Sequence, residues 1–215
     1  FLKSISLFLV ESYAIKNSAF VHTLNNQESL ALCSYVDLAR SKIFQFPNLL
    51  LPDEFKFSDY SAGSLPNFKI SSDMLIFIHP CRLSYQKGTD ILITAWKHQF
   101  LASANKRMHL FLVGPDIDNI LSSYSDELLS SFNIHNLGLL SQSNVFCLLH
   151  RADCVVMPSR CEGVPMSALE SAFLSTPVAF TSECNLELFP QLTLFSIKPA
   201  LSSLRSFFKQ SFRLS

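Results

Sequence analysis

The stretch MLIFIHPCRLSYQKGTDILITAW, residues 74–96, changes its hydrophobic period partway along. Met74–His79 is a short continuous apolar run, as a strand buried on both faces requires. From Gly88 to about Ala102, Ile91, Leu92, Ala95 and Trp96 recur at the spacing that lines one face of a helix. Strand, polar loop and helix in that order open a βαβ unit, and the alternation continues toward the C-terminus. Further strands are expected at His109–Gly114, Cys154–Pro158, Val178–Thr181 and Thr193–Ile197. A helix is expected over Ser141–Ala152, with Ser141 as cap and Val145, Leu148 and Leu149 inward, and another from near Pro165 to about Leu174. Ser122–Phe132 reads as helix-like, and NIHNLGLL, residues 133–140, as a short strand and loop. The expected fold over residues 72–215 is therefore α/β, a Rossmann-like parallel sheet flanked by helices.

Working outward to the N-terminus, the pattern weakens. A helix-like opening runs to about Lys16, followed by an apolar run Ala19–Leu24, a helix around Gln27–Arg40 and the segment Ile43–Phe46. This is one β-α-β unit, too small for a core of its own, and residues 1–52 read as the remnant of a larger N-terminal domain. Residues 53–71 read as a linker, because Asp53–Pro66 is rich in charged, serine and proline residues. The opening FLKSISLFLV is short and has no small-residue cleavage site, so it makes a poor signal peptide. A first residue of phenylalanine points to a fragment whose natural chain began earlier.

With 215 residues, 48% of them hydrophobic, the chain can bury a real core. Seventeen basic residues balance seventeen acidic ones, so no polyanionic partner such as nucleic acid is indicated, and any anion site must be local. Phenylalanine is abundant at twenty and glycine scarce at five, so some turns must be made without glycine. The six cysteines include no C-x-x-C pair, and no histidines cluster near them, which speaks against a zinc site or a disulfide framework. Reduced thiols in a cytoplasmic protein are the expectation. No stretch reaches the roughly 20 apolar residues of a membrane span.

Two loops could carry chemistry. Arg82-Leu83-Ser84-Tyr85-Gln86-Lys87-Gly88 follows the strand that opens the parallel sheet and leads into a helix. Ligands of open α/β folds bind beyond the carboxyl ends of strands, and a guanidinium fork with a mobile ammonium suits a diphosphate. Taken alone, these residues read equally well as two solvated loop cations. The second loop, Pro158-Ser159-Arg160-Cys161-Glu162-Gly163-Val164-Pro165, runs into Met166–Glu170, again after a strand. Gly163 allows close backbone approach, the amides near Val164 and Met166 are expected as the donors of a helix start, and Glu162 and Glu170 can reach different parts of one elongated ligand. Without context, an ordinary pair of helix-start and helix-face glutamates explains that spacing better.

Context comes from the order of the motifs. R-L-x3-K-G, then HLFLVGPD, then NLGLLSQSNVFCLLHRADCVVMPS, then E-G-V-P-M-S-A-L-E and S-T-P-V-A-F-T resembles the family 4 glycosyltransferases and their E-x7-E motif. The similarity covers roughly Leu75 to Phe189, and more faintly the earlier AFVHTLNNQESLAL and FQFPN. It implies the C-terminal, nucleotide-sugar-binding half of a two-domain GT-B enzyme with a retaining mechanism. By that resemblance Arg82 and Lys87 bind the donor diphosphate, Glu170 the ribose, and Gly163, Val164 and Pro165 contact sugar and phosphate through their backbone. The same resemblance implies Glu162 as the catalytic residue, at the transferred hexose. The donor is a UDP-, GDP- or ADP-linked sugar and the acceptor a glycan, lipid or other molecule, as in polysaccharide biosynthesis. Fixed cations at the leaving diphosphate remove the need for a metal, so neither metal nor other cofactor is expected. A site at the cytoplasmic face of a membrane, with peripheral contact, is compatible with such acceptors.

Departures from the family pattern fall at glycines. Ser175 stands where a glycine usually precedes the Pro-Val strand, and Ser182-Glu183-Cys184-Asn185 replaces a glycine-rich turn, so strain is expected there. The alternative reading is a non-catalytic nucleotide-binding or interaction module derived from a glycosyltransferase. A dinucleotide dehydrogenase has little support, since no G-x-G-x-x-G follows a strand. His22, His79, His109, His135 and His150 read as surface or packing residues. Phe207, Phe208 and Phe212, interspersed with Arg205, Lys209 and Arg213, read as an end that packs on a neighbouring domain or touches a membrane. Leu137–Leu139 is a candidate surface for the nucleobase.

Overall fold

The computed structural model describes residues 2–37, 40–48, 50, 70–102, 106–184, 194–197 and 200–211. They belong to two compact units, Phe1–Leu49 and Leu50–Ser215. Of the expected linker, Asp53–Pro66 lies outside the described residues.

The smaller unit holds α1 (Leu2–Asn17), β1 (Val21–Thr23), α2 (Asn26–Val36) and β2 (Ile43–Gln45). The two strands pair in parallel with Val21 opposite Ile43, which is the β-α-β unit expected from the apolar runs. Local chemistry starts α2 where it does. The Asn25 side chain accepts the Glu28 N–H at 2.8 Å while the Glu28 carboxylate accepts the Leu24 N–H at 2.7 Å, an exchange close to a capping box.

The larger unit runs β3 (Leu75–Pro80), α3 (Thr89–Ala102), β4 (Met108–Val113), α4 (Asp126–Ser131), β5 (Ile134–Gly138), α5 (Gln142–Arg151), β6 (Cys154–Met157), α6 (Met166–Phe173), β7 (Val178–Thr181), β8 (Leu194–Ile197) and α7 (Leu201–Ser211). Among the described residues its six strands are all parallel, in the order β5-β4-β3-β6-β7-β8. The chain builds outward from β3 in one direction, then returns to lay β6 on the other side of β3, with Phe77 opposite Cys154. The topological switch point thus falls between β3 and β6, and their carboxyl ends open onto one crevice.

Strands and helices lie close to their expected positions, with two adjustments. The helix-like segment Ser122–Phe132 is divided into a 3-10 turn, Ile120–Ser123, and α4. Asp116 holds that turn by accepting the N–H groups of Ile120 and Leu121 at 2.9 and 2.8 Å, Tyr124 is extended, and Ser125 recaps the chain. Pro165, expected in the first turn of α6, is its N-cap.

On one face of the sheet, Phe77, Leu110, Leu112 and Val156 pack with Leu92 and Trp96 of α3 and with Leu204 and Phe208 of α7. The rings of Trp96 and Phe208 meet edge-on at 5.2 Å and both touch Phe77. The Trp96 indole N–H is satisfied by the Phe132 carbonyl at 2.9 Å. This corrects the reading of the C-terminal phenylalanines as an outward-facing end. Phe208 is fully buried inside its own domain, while Arg205 and Lys209 stay exposed. A charged-apolar alternation at helical spacing is an amphipathic helix, and its apolar side found the sheet; each such side chain contributes about 2 kcal/mol by burial. Phe212 and Arg213 lie outside the described residues.

Candidate functional site

Both motif-bearing loops emerge at the switch point, one after β3 and the other after β6. The first is anchored by Leu83, which is fully buried. Its N–H donates to the Pro115 carbonyl at 2.8 Å, and its own carbonyl accepts from Ile117 at 3.1 Å. The loop then turns through Gly88, whose φ of 72° lies in the left-handed region. A side chain there would collide with the Pro158 carbonyl of the second loop, so glycine serves both the turn and the close approach.

The two loops are bonded to each other along their length. The Arg160 N–H donates to the Gln86 carbonyl at 2.8 Å, and the Gln86 side-chain amide donates to the Cys161 carbonyl at 3.1 Å. The Arg160 guanidinium grips the Asp90 carboxylate with both terminal nitrogens, at 2.7 and 2.8 Å, and also donates to the Tyr85 carbonyl. Beside this seam the Lys87 ammonium pairs with a Glu162 carboxylate oxygen, their side chains 13% and 8% exposed. Ser159 adds a hydroxyl donor to the same oxygen at 3.0 Å.

The remaining candidates surround this pair without joining it. Arg82 is exposed, in the same loop as Lys87. Val164 and Pro165 are buried and Gly163 half-buried at the start of α6, whose N-cap contributes no side-chain bond. Glu170 lies half-buried on α6, where burial pushes its carboxyl above the usual value. Among the described residues no hydrogen bond or ion pair to the side chain of Arg82 or Glu170 is present. Leu139 is exposed, and nothing else marks Leu137–Leu139 as a binding surface.

Two supports of the site carry no distinguishing signal in the sequence: Arg160 stands in the second loop as an ordinary loop cation, and Asp90 as an ordinary acidic residue at a helix start. His79, read as a surface or packing residue, is buried and hydrogen-bonded on both sides. Its Nδ1 donates to the Val156 carbonyl at 2.8 Å, tying β3 to β6, and its Nε2 accepts from the Thr89 hydroxyl at 3.0 Å, tying both to the start of α3. Burial pushes its pKa down to about 4, so the ring is neutral. The neighbouring Cys81 thiol is pushed up to about 12 by burial and stays protonated. The only sequence signal for His79 was its place at the end of an apolar strand. Among the described residues no group of three or more histidine, cysteine, aspartate or glutamate side chains could hold a metal ion, and no helix is long and apolar enough to cross a membrane.

A parallel sheet flanked by helices matches the fold of the GT-B glycosyltransferases. The chain belongs to the glycosyl transferases group 1 family, whose model matches residues 74–191, more than half of its length. It is similar to an uncharacterized glycosyltransferase of Methanocaldococcus jannaschii, 25% identical over 175 residues that cover 81% of this chain and 42% of the relative. Among solved structures, sucrose-phosphate synthase of Thermosynechococcus elongatus superposes with a TM-score of 0.72 at 18% identity, over 97% of this chain and 52% of that one. HepE of Anabaena, in complex with UDP and glucose, gives 0.71 at 16% identity, over 95% and 56%. The chain therefore spans about half the length of the proteins it matches.

Proposed function

We propose that this chain carries the donor site of a retaining, metal-independent glycosyltransferase that moves a hexosyl group from a UDP-, GDP- or ADP-linked sugar to a glycan, lipid or other acceptor. The observation that carries this reading is the meeting of Lys87 and Glu162 at the switch point, from loops 75 residues apart in sequence. A cation and a carboxylate fixed side by side suit a ligand whose anionic and hydroxyl-bearing parts are adjacent, as in a nucleotide sugar.

Arg82 and Lys87 take the diphosphate and stabilise the charge that develops as it leaves. Lysine has three N–H donors, so Lys87 can serve a phosphate oxygen while still orienting Glu162. The backbone around Gly163, Val164 and Pro165, at the start of α6, comes near sugar and phosphate; proline has no N–H, and the Met166 amide, first in the helix, is a donor there. Glu170, destabilised as an anion by burial, gains by accepting hydrogen bonds from vicinal ribose hydroxyls. Glu162 contacts the transferred hexose, and the retaining outcome follows from the family resemblance. The presence of UDP and of UDP-glucose in structures of HepE supports a uridine nucleotide as the first to test.

Calorimetric titration of the chain with UDP, GDP and ADP, with Glu170→Ala alongside, tests the proposal. Selective binding of one nucleotide, weakened by the substitution, supports it. A folded chain that binds none of the three refutes a working donor site and favours the non-catalytic module.

A further inference from the structure

Arg160 lies two residues before Glu162, yet its guanidinium faces the other loop. Both terminal nitrogens hold the Asp90 carboxylate, at 2.7 and 2.8 Å, in the first turn of α3, and one also serves the Tyr85 carbonyl. Its backbone N–H takes the Gln86 carbonyl at 2.8 Å. Segment 85–87 is thus gripped by Arg160 on one side and by Asp118 on the other, where a carboxylate oxygen accepts the Tyr85 N–H at 2.8 Å. Lys87 sits at the end of that segment, so its distance from Glu162 depends on this grip.

We propose that Arg160, acting with Asp90, is a positioning residue that sets the spacing between the cationic loop and the Glu162 loop; this rests on the donor-site reading above. Arginine suits the task because its planar fork fixes direction as well as distance, where a lysine ammonium fixes only proximity. The pair is 39% and 28% exposed, so its contribution to global stability is small. Its effect on a site that needs ångström-level alignment is large.

The test compares the intact wild-type chain with Arg160→Met, Arg160→Lys, Asp90→Asn and the double variant Arg160→Met/Asp90→Asn. Each is titrated with UDP, GDP and ADP and unfolded in urea. Arg160→Met and Asp90→Asn are each expected to weaken the bound nucleotide roughly tenfold, with the double variant no worse than either and unfolding midpoints close to wild type. Arg160→Lys is expected to recover part of the loss. Wild-type affinity in Arg160→Met reduces the pair to a surface bridge and overturns the proposal. Loss in Arg160→Met with full affinity in Asp90→Asn also overturns it, making Arg160 a direct ligand contact. Should the wild-type chain bind no nucleotide, the donor-site reading fails by itself, and amide hydrogen exchange decides the positioning role. Faster exchange over residues 85–88 in Arg160→Met and in Asp90→Asn supports it, and unchanged exchange overturns it.

Discussion

A Cβ atom on Gly88 would stand 2.1 Å from the carbonyl oxygen of Pro158. The loop after β3 and the loop after β6 therefore meet backbone to backbone, and the distance across the candidate site is set by the absence of a side chain. Gly88→Ala must leave the left-handed region or push the loops apart. A loss of roughly 2 kcal/mol or more is expected from urea unfolding, with weaker nucleotide binding. An unchanged midpoint would contradict this account of the contact.

Ser175 occupies the opposite situation, a non-glycine residue at a φ of 60°. Helix α6 ends in a Schellman arrangement, in which the Ser175 N–H donates to the Ala172 carbonyl at 3.0 Å and the Thr176 N–H to the Ser171 carbonyl at 2.8 Å. Ser175 is exposed, so nothing but backbone geometry is at stake. Ser175→Gly is expected to stabilise the chain by about 0.5–1 kcal/mol, and Ser175→Val to destabilise it. Equal unfolding midpoints for all three would show that the turn carries no strain.

His79 makes stability depend on pH. Its folded pKa is pushed down to about 4 by burial, against 6.5 when exposed, with the nearby Lys87 charge acting in the same sense and the Val156 carbonyl opposing it. Below pH 6.5 the unfolded chain binds a proton that the folded chain refuses, so stability is complete above 6.5 and falls as the pH drops toward 4. The loss over that window is on the order of 3 kcal/mol. His135, also lowered to about 4 by burial and by His109, adds in the same direction. Unfolding free energies across the window should show a shallower slope for His79→Asn, and an unchanged slope would remove His79 from the account.

The two glutamates should separate by experiment. Glu170→Ala is expected to weaken nucleotide binding about tenfold, the cost of losing hydrogen bonds to a charged acceptor, with little change in stability. Glu162→Ala releases Lys87 from its ion pair, so affinity for the free nucleotide should hold or rise while transfer of the sugar is lost. Equal nucleotide affinity in wild type and Glu170→Ala would refute the ribose role.

The proposed assignment of Arg82 and Lys87 to the departing diphosphate predicts metal independence. Addition of a chelator to an actively transferring form of the protein should leave turnover unchanged. Loss of turnover, restored by a divalent cation, would show that side-chain cations do not suffice.

Much of this protein was legible in the sequence because its determinants are local. Apolar runs of strand length mark β3, β4, β6 and β7 wherever they end up. The 3.6-residue spacing of Leu92, Ala95 and Trp96 marks a helix with one apolar face, and Ser141 marks where α5 starts. The positions of Lys87 and Glu162 directly after strands were readable too, and with them the suspicion of a shared site.

Tertiary structure decided which loops meet. Periodicity gives no address for a strand, and only the return of β6 to the side of β3 brings Glu162 to Lys87. The same return buries His79 between two strands and a helix, joins Arg160 to Asp90, and leaves room for no side chain at Gly88. The amphipathic spacing around Phe208 is local as well, but the packed sheet and α3 decided that its apolar side is covered within its own domain. The physical reason is common to all of these. Propensity and hydrophobic period act over a few residues, whereas burial, ion pairing and close backbone approach depend on partners 70 or more positions away, which only the packed sheet brings within reach.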